Sequence, residues 1–453
     1  MKRLSLLALL VLVLALALVA CGGGTTTETP AEGGEEVVAT EASMEEEAPA
    51  EEMATEAPAE EEAATEEEAA GSMECTDELG CVTVAPGDPI VIASALVISG
   101  PNIELGTDSQ RGIEIAIAMR PEVLGHPVEL QAEDDGCSAE GGQAAGTKIV
   151  ANPQVVGIIG TSCSGAGVPL AAIMSDAGYL MISPSNTSPA LTDPEQAWKP
   201  GYFRTAHNDL IQGAAMATFA FEELGLTKAA AIHDGDPYTE GLASAFYDAF
   251  QALGGEGVGF EAEAADATNV EPLLTSIAAA EPEFLFYPVF QPLAPLLTNT
   301  AKTVTGLENT ILAAADGVFS PSFLEATPGS SEGMYLSGPD LSFDNAFYSE
   351  EFVPMYQEMF GSEPTNVYHA HAFDAANILL NAVESVAQQG EDGTLIIGRQ
   401  ALRDAVAATA GYEGVTGTLT CSEFGDCADA RIAVSHVENG EFVPVWSNAE
   451  AAE

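Results

Sequence analysis

Positive charge is what this chain has least of. Twelve lysines and arginines stand against 70 aspartates and glutamates in 453 residues, a formal net charge of −58. So acidic a chain makes nucleic acid and anionic lipid surfaces poor partners. Histidine is also scarce, at six residues. No Cys-x2-Cys spacing is present and few histidines lie near a cysteine, which argues against a zinc site. Beyond Leu4–Ala20 no segment is long and apolar enough to span a bilayer. No Gly-x-Ser-x-Gly elbow surrounds Ser162 or Ser164, and His233 follows a strand in a different predicted lobe, so a serine hydrolase is disfavoured.

What is there begins with an export signal. Lys2 and Arg3 form a positive n-region, Leu4–Ala20 is a Leu/Ala/Val run, and small residues precede the expected cut. Leu18-Val19-Ala20-Cys21 resembles the lipobox of bacterial lipoproteins, in which the Cys is acylated and becomes the first mature residue. The alternative is a membrane-spanning anchor that contains a Cys. Seventeen apolar residues are at the short limit for a span, and Gly22-Gly23-Gly24 follows with no stop-transfer charge. The expectation is a signal peptide at 1–20, lipidation at Cys21, and attachment to the extracytoplasmic face of the cell membrane.

Residues 22–74 hold 18 Glu and no Asp, Lys or Arg. Such a segment cannot bury a core and repels itself, so 21–74 reads as a disordered acidic tether. Its r.m.s. reach as a flexible coil is roughly 40 Å. From Cys75 onward about 380 residues remain, carrying 52 acids against 10 bases. That length is too great for one ordinary core and points to two lobes.

Setting Cys21 aside leaves six cysteines, which fall into local pairs: Cys75/Cys81, Cys137/Cys163 and Cys421/Cys427. Six cysteines allow 15 connectivities, so spacing and compartment favour this pairing without deriving it.

From Pro89 short β-branched runs alternate with amphipathic helical stretches. Strands are expected at 90–95, 128–132, 155–159 and 180–183, with helices at 108–119, 141–151 and 167–177 between them. The rhythm restarts with a helix at 210–224, then strands at 229–233, 258–263, 284–287 and 310–314 and helices at 238–253 and 270–280. Two helices at 345–360 and 368–389 and strands at 416–421 and 431–437 close the chain. The fold class is α/β, with two doubly wound parallel-sheet lobes joined by a three-segment hinge. The first lobe takes 75–206 and 337–415, the second 207–336 and 416–447, and 448–453 is a tail. Ligands in such sheets bind beyond the carboxyl ends of the strands, often between lobes.

The strand-end loops carry the polar residues. Gly160-Thr161-Ser162-Cys163-Ser164-Gly165-Ala166-Gly167 opens a helix, where glycines admit close approach and free N–H groups attract an anion. Ser183-Pro184-Ser185-Asn186-Thr187-Ser188-Pro189 follows the next strand. Together two such loops suit a carboxylate, although either alone reads equally as a turn or cap.

Gly157 to Ser164 and Leu180 to Pro184, in order with Ser99-Gly100-Pro101, Asp134-Asp135-Gly136-Cys137, Ile232-His233-Asp234, Tyr238-Thr239-Glu240-Gly241, Asp316-Gly317-Val318 and Glu332-Gly333-Met334, resemble the bacterial leucine/isoleucine/valine-binding protein family. The likeness runs from about residue 89 to the C-terminus. It implies the type I periplasmic-binding-protein fold and the substrate-binding component of an ATP-driven amino-acid importer. The ligand's carboxylate would meet Ser164 and the loop of Ser185, Asn186 and Thr187. Tyr238 would close from the second lobe, and Asp316 would pair with the α-ammonium in place of the family's usual Glu. Phe290 stands where a second Tyr is common, and Leu105 replaces an aromatic residue of the side-chain pocket. The resemblance also implies a Cys137–Cys163 bridge.

The implied partners are a small-molecule ligand, an amino acid of branched-chain or other apolar type, and an ABC permease; the chain would act as a monomer without cofactor or enzymatic activity. The competing reading is a sensor of the same fold for an amide, urea or other small metabolite. Three bland readings complete the list. His369-x-His371 falls at a helix start outside the cleft, Asp134-Asp135 caps a loop, and Cys421–Cys427 is a closed turn lacking EF-hand spacing.

Overall fold

The computed structural model describes residues 74–343 and 345–449. The export signal, Cys21, the acidic tether apart from Glu74, and residues 450–453 lie outside the described residues.

The first sheet runs Glu122–Val123, His126–Asp134, Ile90–Leu96, Val155–Gly160, Met181–Ser183, Tyr202–Arg204, parallel except for its two-residue edge. Ile90–Leu96 sits between His126–Asp134 and Val155–Gly160, and Val155–Gly160 is buried at every position. A strand covered by helices on both faces reads as a continuous apolar run. One face packs Ile90, Ile92, Ile113, Ile159 and Leu379; the other packs Ala93, Ile158, Leu170 and Met174.

The second sheet runs Glu256–Ala262, Lys228–His233, Phe284–Phe286, Ile311–Ala315, Tyr335–Pro339, Ile432–Glu438, Glu441–Ser447, with the last two strands antiparallel. Its faces bury Phe246, Phe284 and Phe286 on one side and Leu285, Leu293, Leu297 and Leu312 on the other. Among the described residues no helix is long and apolar enough to cross a membrane.

Three differences from the sequence reading have identifiable causes. The helix expected at 108–119 begins at Ile103. Gly106 masks its first turn, and it is Gly because a Cβ there would lie 2.1 Å from the Val97 carbonyl oxygen. Strands Cys81–Val84 and Leu395–Gly398, not expected, pair antiparallel with each other across more than 300 residues. Finally, 416–427 was assigned to the second lobe, but Val415, Leu419 and Cys427 pack in the first core with Leu379 and Leu395. The carboxylate of buried Asp374 accepts the Val415 and Thr416 N–H groups, both at 2.9 Å, and ties this segment to helix His369–Val386. The chain rejoins the second sheet only at Ile432.

All three cysteine pairs are bridged: Cys75–Cys81, Cys137–Cys163 and Cys421–Cys427.

Candidate functional site

Two loops at neighbouring strand ends form the first-lobe wall. After Val155–Gly160, the Ser162 N–H donates to Asp135 Oδ2 at 2.7 Å and the Val97 N–H donates to Ser162 Oγ at 3.0 Å. Asp135 also accepts the Cys137 N–H at 2.8 Å. Burial pushes the Asp135 carboxyl up to about 7, against those two amides and with the neighbouring charge of Asp134 adding to the rise. The Cys137–Cys163 bridge clamps the same turn, so Ser164 opens helix Ser164–Asp176 from a fixed base. Ser164 Oγ accepts the Ser188 N–H at 3.3 Å, leaving its own proton to donate.

In the second loop the expected residues divide into two kinds. Ser185 Oγ donates to the Ser162 carbonyl and Asn186 Nδ2 to the Thr161 carbonyl, both at 2.9 Å. These two side chains staple the loops together instead of facing a ligand. Thr187 Oγ1, by contrast, is buried without a hydrogen-bond partner, and so are both carboxylate oxygens of Asp209, which lies beside it. An orphaned buried hydroxyl is costly, so it marks a place where a partner is wanted.

Arg204, which the sequence reading passed over, positions this loop. Its guanidinium is fully buried, and Nη1 donates to the carbonyls of Asn186 at 3.1 Å and Ser188 at 2.8 Å. Asp426, inside the Cys421–Cys427 loop, supplies its counter-charge.

The second lobe contributes Tyr238 from the first turn of helix Pro237–Ala252, Phe290 beyond strand Phe284–Phe286, and Asp316 at the end of strand Ile311–Ala315. Asp316 is 3% exposed. Its Oδ1 accepts from Gln212 Nε2 at 2.6 Å and the Tyr238 hydroxyl at 3.3 Å, and its Oδ2 accepts from the Tyr368 hydroxyl at 2.8 Å. Burial, then the Asp316 charge, pushes both tyrosines well above their ordinary range, so they stay protonated donors. The Phe290 ring lies 5.0 Å from that of Tyr238. Leu105 joins Val97, Cys163, Val367 and Tyr368 in an apolar cluster that Phe290 and Phe319 complete from the other lobe.

Gln212 and Tyr368 were missed because their sequence signal is helical: each belongs to an amphipathic pattern, and only packing turns its polar end toward Asp316. Several polar contacts cross between the lobes. Ser188 Oγ donates to the Pro237 carbonyl at 2.8 Å, Ser322 Oγ to Glu104 Oε2 at 2.7 Å, and Asn366 Nδ2 to the Phe319 carbonyl at 2.9 Å.

His369 has structural work, while His371 Nδ1 is buried without a hydrogen-bond partner. His369 Nδ1 meets Asp108 Oδ2 and its Nε2 meets the Tyr348 hydroxyl, each at 2.8 Å. Asp134 accepts the Ile98 and Gly136 N–H groups. No cluster of three or more His, Cys, Asp or Glu suited to a metal occurs among the described residues. A groove of about 1150 Å³ that shares Phe319 and Val367 with the apolar cluster and extends past Leu341, Phe442 and Trp446 has no unpartnered buried polar atom among its lining residues. The orphaned hydroxyl and the carboxylate place the candidate site between the lobes instead.

Residues 89–440 match the family described as periplasmic binding protein. The chain belongs to that family. This binding protein is 27% identical over 345 residues to a leucine-, isoleucine-, valine-, threonine- and alanine-binding protein of Pseudomonas aeruginosa, covering 75% of this chain and 87% of the relative. It is 27% identical over 271 residues to the Leu/Ile/Val-binding protein of Escherichia coli, covering 57% and 71%. The crystal structure of a leucine binding protein from Thermotoga maritima superposes with a TM-score of 0.70 at 25% identity, covering 79% of this chain and 98% of that one. The family captures solutes and is not enzymatic. Its fold, with two sheets in two lobes, is that of type I periplasmic binding proteins.

Proposed function

We propose that this binding protein captures an amino acid of branched-chain or other apolar type between its lobes and delivers it to the permease of an ABC importer. The observation that carries the reading is a division of chemistry between the lobes. Hydroxyl donors at Ser164 and Thr187 stand on one, and the buried Asp316 carboxylate stands on the other. A zwitterion supplies an acceptor for the first and a cation for the second, so only a molecule with both ends drives full closure. Leu105, Phe290 and Phe319 offer the side chain an apolar wall. The names of the relatives support the same ligand class.

The chain is further proposed to act as a monomer, tethered outside the cytoplasm by lipid on Cys21. Cys21→Ser should release it from the membrane fraction, and unchanged fractionation would remove the lipid anchor from the proposal.

The three protein donors on Asp316 favour a second reading, a receptor for an amide or urea, because they already compensate the carboxylate without an ammonium. Calorimetric titration with a panel of amino acids and neutral amides separates the two. Binding of an apolar amino acid with rejection of its amide supports the first. Binding of amides alone sinks it.

A further inference from the structure

Helix Pro237–Ala252 in the second lobe is capped by Asp236, whose Oδ1 accepts the Tyr238 N–H at 2.8 Å. The other oxygen of the same carboxylate does not turn to solvent. It lies against Gly165 in the first turn of helix Ser164–Asp176, across the cleft, where a Cβ on Gly165 would stand 2.0 Å from Oδ2. The Gly165 backbone is packed directly against this carboxylate. Next to it, Ser188 Oγ reaches the Pro237 carbonyl, and a Cβ on Gly241 would touch Pro189. The first turns of two helices, each with N–H groups to satisfy, thus converge on one carboxylate.

We propose that Asp236 is a latch between the lobes, a positioning residue that caps its own helix at all times and takes the Gly165 end of the facing helix only when the cleft is shut. This deepens the reading of ligand capture by lobe closure and rests on it. Gly165 is required because any side chain would occupy the place of the Asp236 oxygen.

The latch makes closure pH-dependent. The charges facing Asp236 are Asp234 on its own loop and Asp209 on helix Asp209–Thr218; the first turn of helix Ser164–Asp176 carries no acid. Burial, with Asp234 adding to it, pushes the Asp236 carboxyl up to about 6, against the backbone of Tyr238 and Gly165. With the lobes apart the burial is lost and the carboxyl returns toward its ordinary range. The closed state therefore holds the proton more tightly. Closure is favoured below that ordinary range and weakens as pH rises through about 6.

The test uses the full chain with leucine as probe, titrated calorimetrically from pH 5 to pH 8. Wild type should bind roughly tenfold more weakly at pH 8 than at pH 5, from a rise of about two pH units in the closed state only partly realised on binding. Asp236→Asn, which keeps the cap acceptor, should flatten that profile. Gly165→Ala should weaken binding at least tenfold at every pH while leaving the melting temperature within a few degrees. Wild-type affinity in Gly165→Ala, or a wild-type pH profile in Asp236→Asn, overturns the latch. If leucine and the other amino acids fail to bind wild type, the proposed function falls and the latch is judged without ligand, from the ¹³C titration of the Asp236 carboxyl with the lobes held shut by a short thiol crosslinker between Glu104→Cys and Ser322→Cys, whose parent side chains meet across the cleft at 2.7 Å. A midpoint near 6 that drops to the ordinary carboxylate range in Gly165→Ala supports it; an ordinary midpoint in wild type overturns it.

Discussion

Arg204 holds Thr187 in place without touching it: its buried guanidinium binds the carbonyls on either side, at Asn186 and Ser188. Asp426 balances the charge from a loop closed by Cys421–Cys427. The Thr187 hydroxyl is thus aimed by Arg204, whose counter-charge Asp426 lies 222 positions further along the chain.

Arg204→Met should therefore damage binding more than its own contacts suggest. Two buried carbonyls lose their donor, at about 1–3 kcal/mol of stability each. Calorimetry should show leucine affinity falling by more than tenfold, and urea unfolding should report the stability loss. An affinity matching wild type would show that the loop keeps its shape unaided.

Asp316→Asn keeps the size of the side chain and removes its charge. If the carboxylate pairs with an ammonium, leucine binding should weaken by about 2–4 kcal/mol. Neutral amides provide the contrast, since their affinity should hold or rise. Equal loss for both ligand types would assign Asp316 to architecture.

Opening the Cys137–Cys163 bridge acts on stability and site together. The cysteines are 26 residues apart, and loop-closure entropy for that span is about 3–4 kcal/mol. The double Cys→Ser variant should melt well below wild type and bind leucine more weakly, because the turn carrying Ser164 loses its clamp. Loss of stability with full affinity would confine the bridge to the fold.

Stability should fall as pH rises from about 5 to 8. Burial pushes Asp135 up to about 7 and Asp374 to about 6, each against hydrogen bonds that favour the ion. Both lie above the unfolded carboxylate value, so the folded state binds more protons across this window. The stabilisation is complete below about 4 and is lost as pH passes 6 to 7. Repulsion within a chain of net charge −58 acts in the same direction. Melting temperatures across the range check the slope. Asp135→Asn should flatten part of it and lower the melting temperature, since Cys137 or Ser162 loses its acceptor.

Local pattern exposed the elements that are buried strands or one-sided helices. Val155–Gly160 and Lys228–His233 are legible because both are apolar or small nearly throughout. Tyr335–Pro339 was not, because Ser337-Gly338-Pro339 reads as a turn although it pairs along its length with Ile432–Glu438. Glu441–Ser447 hides behind Pro444, which an edge strand tolerates. The pairing of Cys81–Val84 with Leu395–Gly398 has no local signal at all.

By itself the sequence determined the α/β alternation, the two lobes and the polar loops at the strand ends, and it favoured the local pairing of six cysteines that the structure shows. Each follows from short-range patterning of apolar, small and hydroxyl residues. Tertiary structure alone decided which hydroxyls are free. Ser185 and Asn186 are consumed between loops, Thr187 is left unpartnered, Asp316 gathers Gln212 and Tyr368, and Asp236 reaches Gly165. Hydrogen-bond satisfaction depends on which distant groups burial brings within 3 Å of one another, and no periodicity along the chain encodes that distance.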